Sequence, residues 1–229
     1  MRAKIEEIFS SIQGEGIYVG VPQIFVRFAG CNLKCSYCDT PPARYVQEPD
    51  AAELLEGINI LDAQSGPHHS VSITGGEPLL QAEFLKDFLP RLKARAIGVH
   101  LQTNGTLARE LESVIDFVDV IAMDIKLPSS TDDAECWHRH EDFLGVAGRK
   151  EVFIKVVITG HTSEADFLKA VEIAGALDGR LEFVIQPVTP VGRAPAPDRE
   201  KIYGLCMLAK KHLKNVRVIP QVHKALGVK

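Results

Sequence analysis

Short apolar runs of strand character recur along the chain, separated by stretches with helical periodicity. The strand-like runs cover residues 24–28, 71–73, 99–101, 118–122, 152–158, 181–185 and 216–219, with a shorter run at 5–9 ahead of them. Helix-period segments fall between, over residues 50–57, 80–96, 107–115, 134–146, 163–176 and 198–213. Strand–helix–strand alternation predicts parallel strands joined by helical crossovers. Six or so such units are too few to close an eight-fold barrel. The expected fold is therefore α/β, an open partial TIM-like (β/α)6 barrel with short N- and C-terminal additions. No repeat, low-complexity segment or linker interrupts the pattern, so residues 1–229 read as one domain.

The polar motifs follow this pattern. A cysteine cluster comes after the 24–28 run, Thr74-Gly75-Gly76-Glu77-Pro78 after 71–73, and Gln102-Thr103-Asn104-Gly105 after 99–101. Asp124-Ile125-Lys126, Gln186-Pro187 and Gln221-Val222-His223-Lys224 follow three later runs. Each falls at the C-terminal end of its strand, the face on which parallel α/β folds assemble active sites. Polar loops alone would explain one or two such placements, whereas six favour a single site.

Composition narrows the classes. Hydrophobic residues make up 45% and charged residues 24% of the chain, as in ordinary globular proteins. No run of eighteen apolar residues is present, and Glu6 and Glu7 interrupt any apolar leader, so a cytoplasmic protein without a membrane span is expected. A net charge of −4 gives no nucleic-acid footprint. Five cysteines in 229 residues do not make a disulfide framework, yet three of them crowd into Cys31-x3-Cys35-x2-Cys38.

Three readings of that cluster compete. Structural zinc needs a fourth ligand, for which His68 or His69 would serve. A redox pair would use Cys35 and Cys38 and leave Cys31 unexplained. A 4Fe–4S cluster on three thiolates leaves one iron open for a ligand, and this reading uses all three residues. Cys136 and Cys206 read as core cysteines, and His138 and His140, beside Glu141 and Asp142, as surface residues.

Here the residues resemble a known family. Cys31-x3-Cys35-x2-Cys38, with Tyr37 ahead of the third cysteine and the Thr74–Pro78 segment downstream, is similar to the signature of radical S-adenosylmethionine (SAM) enzymes. Ser11-Ile12-Gln13-Gly14-Glu15-Gly16, the Arg27 strand and Cys38-Asp39-Thr40 are similar to the 7-carboxy-7-deazaguanine synthase family, nearly along the full length. The resemblance implies a radical SAM core in which SAM chelates the open iron and is cleaved to a 5′-deoxyadenosyl radical. It implies conversion of 6-carboxy-5,6,7,8-tetrahydropterin to 7-carboxy-7-deazaguanine with loss of ammonia, assisted by Mg2+, on a 7-deazapurine (queuosine-type) pathway. A flavodoxin or ferredoxin-like reductant and a homodimer are further implications.

The resemblance also assigns residues. Cys31, Cys35 and Cys38 would bind the cluster and Thr40 the magnesium ion. Ile12, Gln13, Gly14 and Glu15 would meet the substrate, together with Arg27, Thr74, Gln186 and His223. SAM would lie against Tyr37, Cys38, Asp39 and Gly76, and against Glu77, Asn104, Asp124 and Lys126. Many relatives have Ser-Pro-Lys where this chain has Asp124-Ile125-Lys126, which leaves open which of those residues touches SAM. From residue 201 onward the chain has six lysines and no acid, and the family resemblance implies that this tail covers the substrate. One rival enzyme class, the activating enzymes that abstract hydrogen from a partner protein's glycine, shares the cysteine loop but is not expected to carry Gln13-Gly14-Glu15 or Gln221-x-His223-Lys224. A zinc-binding interaction module is the non-enzymatic rival.

Overall fold

The computed structural model describes residues 1–39, 46–177, 181–190 and 194–229. Eight strands form one sheet in the order in which the chain makes them. β1 (Ile5–Ile12) runs antiparallel to β2 (Pro22–Phe28). Every later neighbour is parallel: β3 (Ser70–Gly75), β4 (Gly98–Thr103), β5 (Val120–Asp124), β6 (Glu151–Ile158), β7 (Glu182–Pro187) and β8 (Asn215–Val218). β1 and β8 are the two ends of the sheet, so the barrel stays open. β1 and β8 are the expected additions flanking six core strands.

Helices fill the crossovers: α1 (Ala51–Ser65), α2 (Ala82–Lys93), α3 (Ala108–Glu112), α4 (Pro128–Thr131), α5 (Trp137–Ala147), α6 (Glu164–Leu177) and α7 (Arg199–Ala209). α8 (Val222–Leu226) follows β8. Asp50 caps α1 by accepting from Ala52 and Glu53 N–H while Glu53 returns to the Asp50 N–H, a closed capping box. α1 outruns the expected 50–57 because Ile58 and Leu61 continue its apolar face into the core. The short α4 and α8 were not expected from periodicity, which needs more turns than either has.

Alternation along each strand separates two environments. Ile24, Val26 and Phe28 of β2, Ile121 and Met123 of β5, and Phe183 and Ile185 of β7 face outward into the helix-covered core. Phe28 meets Phe84 of α2 edge-on at 6.2 Å, and Phe183 meets Phe167 of α6 at 5.9 Å. Each such pair contributes about 0.5–1.5 kcal/mol beyond the area it buries. The inward positions are different: Phe25 and Arg27, His100 and Gln102, Asp124, Lys155 and Gln186 line an interior cavity.

One expectation is overturned here. His138 is exposed, but His140 is completely buried. Helix geometry places residue 140 on the same stripe as Phe143, Leu144 and Ala147, all buried. Its ring bridges Gly105 O at Nδ1 (2.9 Å) and the Lys126 N–H at Nε2 (3.1 Å), joining the loops after β4 and β5. Cys136 is buried as expected, while Cys206 is half-buried against the core.

Candidate active site

The cysteine loop is held from below by two neighbouring loops. Asn32 Nδ2 donates to Thr106 Oγ1 (2.9 Å), and Asn104 Nδ2 donates to Asn32 Oδ1 (2.8 Å). The Ser36 N–H and hydroxyl reach Thr131 O and Ser130 O of α4 (2.7 and 3.0 Å). Cys31 and Cys38 are exposed, and Cys35 is half-buried, where burial pushes its thiol up to about 11 against the lowering effect of Lys126. His68 and His69 stand at the opposite, N-terminal end of β3, with His68 bonded to Ser10 and Asp62. Neither is placed to complete a zinc site with this loop.

Among the described residues no three His, Cys, Asp or Glu side chains converge on a point that would hold a single metal ion. Three soft thiols on one loop suit an iron–sulfur cluster, which Cys31, Cys35 and Cys38 would hold. The residues present fit a 4Fe–4S group. Thr40, expected to bind magnesium, lies outside the described residues.

The two glycines of Thr74–Pro78 answer first to the chain itself. A Cβ on Gly75, whose φ is +133°, would sit 2.1 Å from Phe28 O, and one on Gly76 would sit 2.1 Å from Gly30 O. The close approach lets Gly76 N–H bond Phe28 O (3.1 Å) and Glu77 N–H bond Gly30 O (2.8 Å), which fixes the start of the cysteine loop. Glu77, expected beside SAM, does not line the cavity. It is fully buried, and its carboxylate accepts from Leu79 N–H, Asn104 N–H and the Thr103 hydroxyl (3.0, 2.7 and 3.0 Å). Burial pushes its pKa up to about 7 despite those donors. Glu77 thus ties the β3 and β4 loops together.

Every other described candidate residue lines one cavity of about 570 Å3. The floor and one side carry a charged group. Asp124 and Lys155 face each other in register on β5 and β6. Lys155 Nζ reaches Glu15 Oε2 at 2.6 Å and Asp124 Oδ2 at 3.3 Å. Lys126 Nζ donates to the same Asp124 oxygen (2.9 Å) and to Tyr37 OH (3.3 Å), over whose ring it lies. Burial pushes the Glu15 pKa up, but Lys155, Gln221 and His223 outweigh it and hold the carboxyl at about 2. For Lys126, burial works downward and Asp124 prevails, holding its pKa well above the usual value.

Lys155 escaped the sequence reading, although a lone lysine inside an apolar strand carried the same signal as Arg27. Arg27 itself is not fully buried. Its Nε donates to Glu7 Oε1 (3.0 Å) on β1, its side chain is 26% exposed, and the guanidinium lies over Phe9. Glu7 thus gives Arg27 an anionic partner within the chain.

The C-terminal segment closes the cavity from above. Gln221 Nε2 bridges Glu15 Oε1 (2.7 Å) and Asp39 Oδ2 (3.1 Å), and Lys224 pairs with Asp39 as well. The Asp39 side chain thus serves the tail, which holds its carboxyl below the usual range against the effect of burial. His223 packs on Gly14 so closely that a Cβ there would lie 2.1 Å from Nδ1. Three buried polar atoms have no partner among the described residues: His100 Nε2, Asp124 Oδ1 and Gln186 Oε1. All three belong to side chains that line the cavity, the pattern expected where ligands complete the hydrogen bonding.

Comparison with known proteins now decides the family. Residues 25–184 match the radical SAM superfamily. The chain is 38% identical to 7-carboxy-7-deazaguanine synthase of Geobacter sulfurreducens over 98% of its own length and 97% of that protein's. This chain belongs to the 7-carboxy-7-deazaguanine synthase family of radical SAM enzymes. The corresponding synthase of Methanothermobacter thermautotrophicus is 36% identical and is matched over 100% of this chain and 99% of its own. The crystal structure of QueE from Escherichia coli shares the fold, with a TM-score of 0.67 at 21% identity over 97% of this chain and 95% of that one. Membership carries with it SAM and an iron–sulfur cluster as cofactors. Among the described residues no helix is long and apolar enough to cross a membrane.

Proposed function

We propose that this chain catalyses the reaction for which its relatives are named, forming 7-carboxy-7-deazaguanine from 6-carboxy-5,6,7,8-tetrahydropterin with loss of ammonia. The observation that carries the reading is that the three cysteines and the Gln13–Glu15 segment open onto one cavity. A ligand on the loop and a bicyclic substrate beneath it would then be in contact, as hydrogen abstraction requires. When bound, the iron–sulfur cluster and SAM supply the one-electron chemistry that starts a radical reaction.

The chain's own residues orient the ligands and exclude water. Cys31, Cys35 and Cys38 would hold the cluster. Tyr37, Asp39, Gly76, Asn104, Asp124 and Lys126 belong to the SAM side of this proposal. Glu77 acts behind them, holding Asn104 by its main chain. With its pKa at about 2, Glu15 stays anionic at neutral pH and offers acceptors to substrate N–H groups. Arg27, facing the cavity from β2, is matched to the substrate carboxylate, which it would bind bidentately. Ile12, Gln13, Gly14, Thr74, Gln186 and His223 complete the substrate side. A magnesium ion at Thr40, an electron donor of the flavodoxin or ferredoxin class, a homodimeric state and a cytoplasmic location complete the reading.

The test is anaerobic reconstitution with iron and sulfide, followed by reductant, magnesium, SAM and 6-carboxytetrahydropterin. Product with the mass of 7-carboxy-7-deazaguanine, formed over many turnovers with little SAM lost, is the expected result. Cleavage of SAM with the pterin left intact would overturn the substrate and redirect attention to a glycine in a partner protein.

A further inference from the structure

The barrel interior holds a buried imidazole that the reading above does not use. His100 on β4 is 1% exposed and lines the cavity, with the rings of Tyr18 and Phe153 at 5.2 and 6.0 Å from its own. Its protonation follows from a chain of hydrogen bonds that begins at the main chain. The Glu15 N–H can only donate, and it reaches Gln13 Oε1 at 3.1 Å. Gln13 therefore turns its amide nitrogen to Gln23, whose Oε1 accepts at 2.8 Å. The Gln23 amide nitrogen is then left facing Ser70 Oγ at 2.8 Å and His100 Nδ1 at 2.9 Å. A ring nitrogen that accepts from an amide carries no proton, so His100 is neutral and protonated at Nε2. That Nε2–H has no acceptor among the described residues. A buried donor without a partner destabilises a fold, and on a side chain that lines a cavity a ligand can supply the acceptor.

We propose that His100 is a specificity-determining residue whose Nε2–H donates to an acceptor atom of the bicyclic substrate, a ring carbonyl oxygen or an unprotonated ring nitrogen, while the Gln13–Gln23 relay fixes the tautomer that can do so. The proposal rests on the pterin reading above. It makes the loop at Gln13 responsible for more than its own contacts, because that loop sets the hydrogen-bond polarity of a side chain on another strand. It also disfavours ligands that present a donor at this position, since two N–H groups would then oppose each other.

The experiment measures the affinity of the reconstituted, SAM-loaded protein for 6-carboxytetrahydropterin by calorimetry, without reductant so that no turnover occurs. His100→Phe keeps an aromatic ring but no donor, and affinity is expected to fall about tenfold or more. His100→Gln, which returns an N–H near the position of Nε2, is expected to restore part of the loss. Gln23→Glu leaves the imidazole in place but presents an acceptor to Nδ1, moving the proton there and turning Nε2 into an acceptor; affinity should fall as in His100→Phe. Nitrogen-15 spectra of histidine-labelled protein read the tautomer directly, with Nε2 protonated in the wild type and Nδ1 in Gln23→Glu. Unchanged affinity in a folded His100→Phe protein, or a wild-type imidazole protonated at Nδ1, would overturn the proposal alone. Failure of the wild-type protein to bind the pterin at all would overturn the functional reading together with it.

Discussion

The two walls of the cavity are built from different chemistry. On β2 to β4 the interior positions other than Arg27 are neutral: Gln23 bonds Ser70 and His100, and Gln102 donates to Ser72 at 2.9 Å. On β5 and β6 the interior carries Asp124 and Lys155, which with Lys126 and Glu15 form a compact group of two acids and two lysines. The charged wall sums to zero and is held by Coulomb attraction at low exposure, so each member depends on the others. The neutral wall depends on donor and acceptor directions, and its His100 Nε2–H finds no acceptor among the described residues. A wall of the first kind gives rigidity and a fixed field, and a wall of the second kind discriminates between ligands by their hydrogen-bonding edges.

The largest effect should spare both walls. Cys35→Ala is expected to abolish iron binding and turnover, while the melting midpoint of the cluster-free protein changes by no more than about 1 kcal/mol equivalent. Retained turnover would show that the loop is not the cofactor site. Next comes Lys155→Met, which leaves the buried Glu15 without its lysine and Asp124 with Lys126 alone. A loss of about 3–5 kcal/mol in denaturant unfolding is expected. Ser72→Ala on the neutral wall should cost only about 1 kcal/mol, and equal losses would erase the distinction drawn here.

Two glutamates sharpen it through pH. Glu15, held at about 2 rather than 4.5, contributes up to about 3 kcal/mol that is present above pH 4.5 and lost as pH falls toward 2. Glu77, raised to about 7, works with the opposite sign: its contribution is present below pH 4.5 and lost as pH rises through 7. Unfolding free energies of Glu15→Gln and Glu77→Gln, each taken relative to wild type across pH 3–8, should therefore diverge in opposite directions. Parallel pH profiles would contradict the assignment. The smallest effect is Gln221→Ala, which removes the bridge between Glu15 and Asp39; about 1 kcal/mol of stability and a raised KM with little change in kcat are expected from steady-state kinetics.

The strand order and the cysteine loop were legible because periodicity and spacing are local. Each apolar run became a strand, and the described site candidates in the motifs after them line one cavity, Glu77 excepted. What escaped was the direction in which single polar residues point. Lys155 and His100 sit within runs that read as apolar strands, and a strand buried on both faces gives no alternation to reveal which face meets a ligand. His140 was masked by its acidic neighbours, although its spacing from Phe143, Leu144 and Ala147 marked it as inward. Gly76 was assigned to SAM by the resemblance, whereas a Cβ on Gly75 or Gly76 would first meet main-chain atoms of Phe28 and Gly30, a pairing between distant segments that no local pattern reveals. Glu77, which the resemblance sets beside SAM, is buried and bonded to the β4 loop.

The most direct measurement is a crystal structure of the anaerobically reconstituted protein with SAM and 6-carboxytetrahydropterin. The expected result is a cluster on Cys31, Cys35 and Cys38, the pterin within hydrogen-bond distance of His100 Nε2, and ligand donors against Asp124 Oδ1 and Gln186 Oε1. A pterin bound outside the cavity, or those three atoms still without partners in the complex, would contradict it.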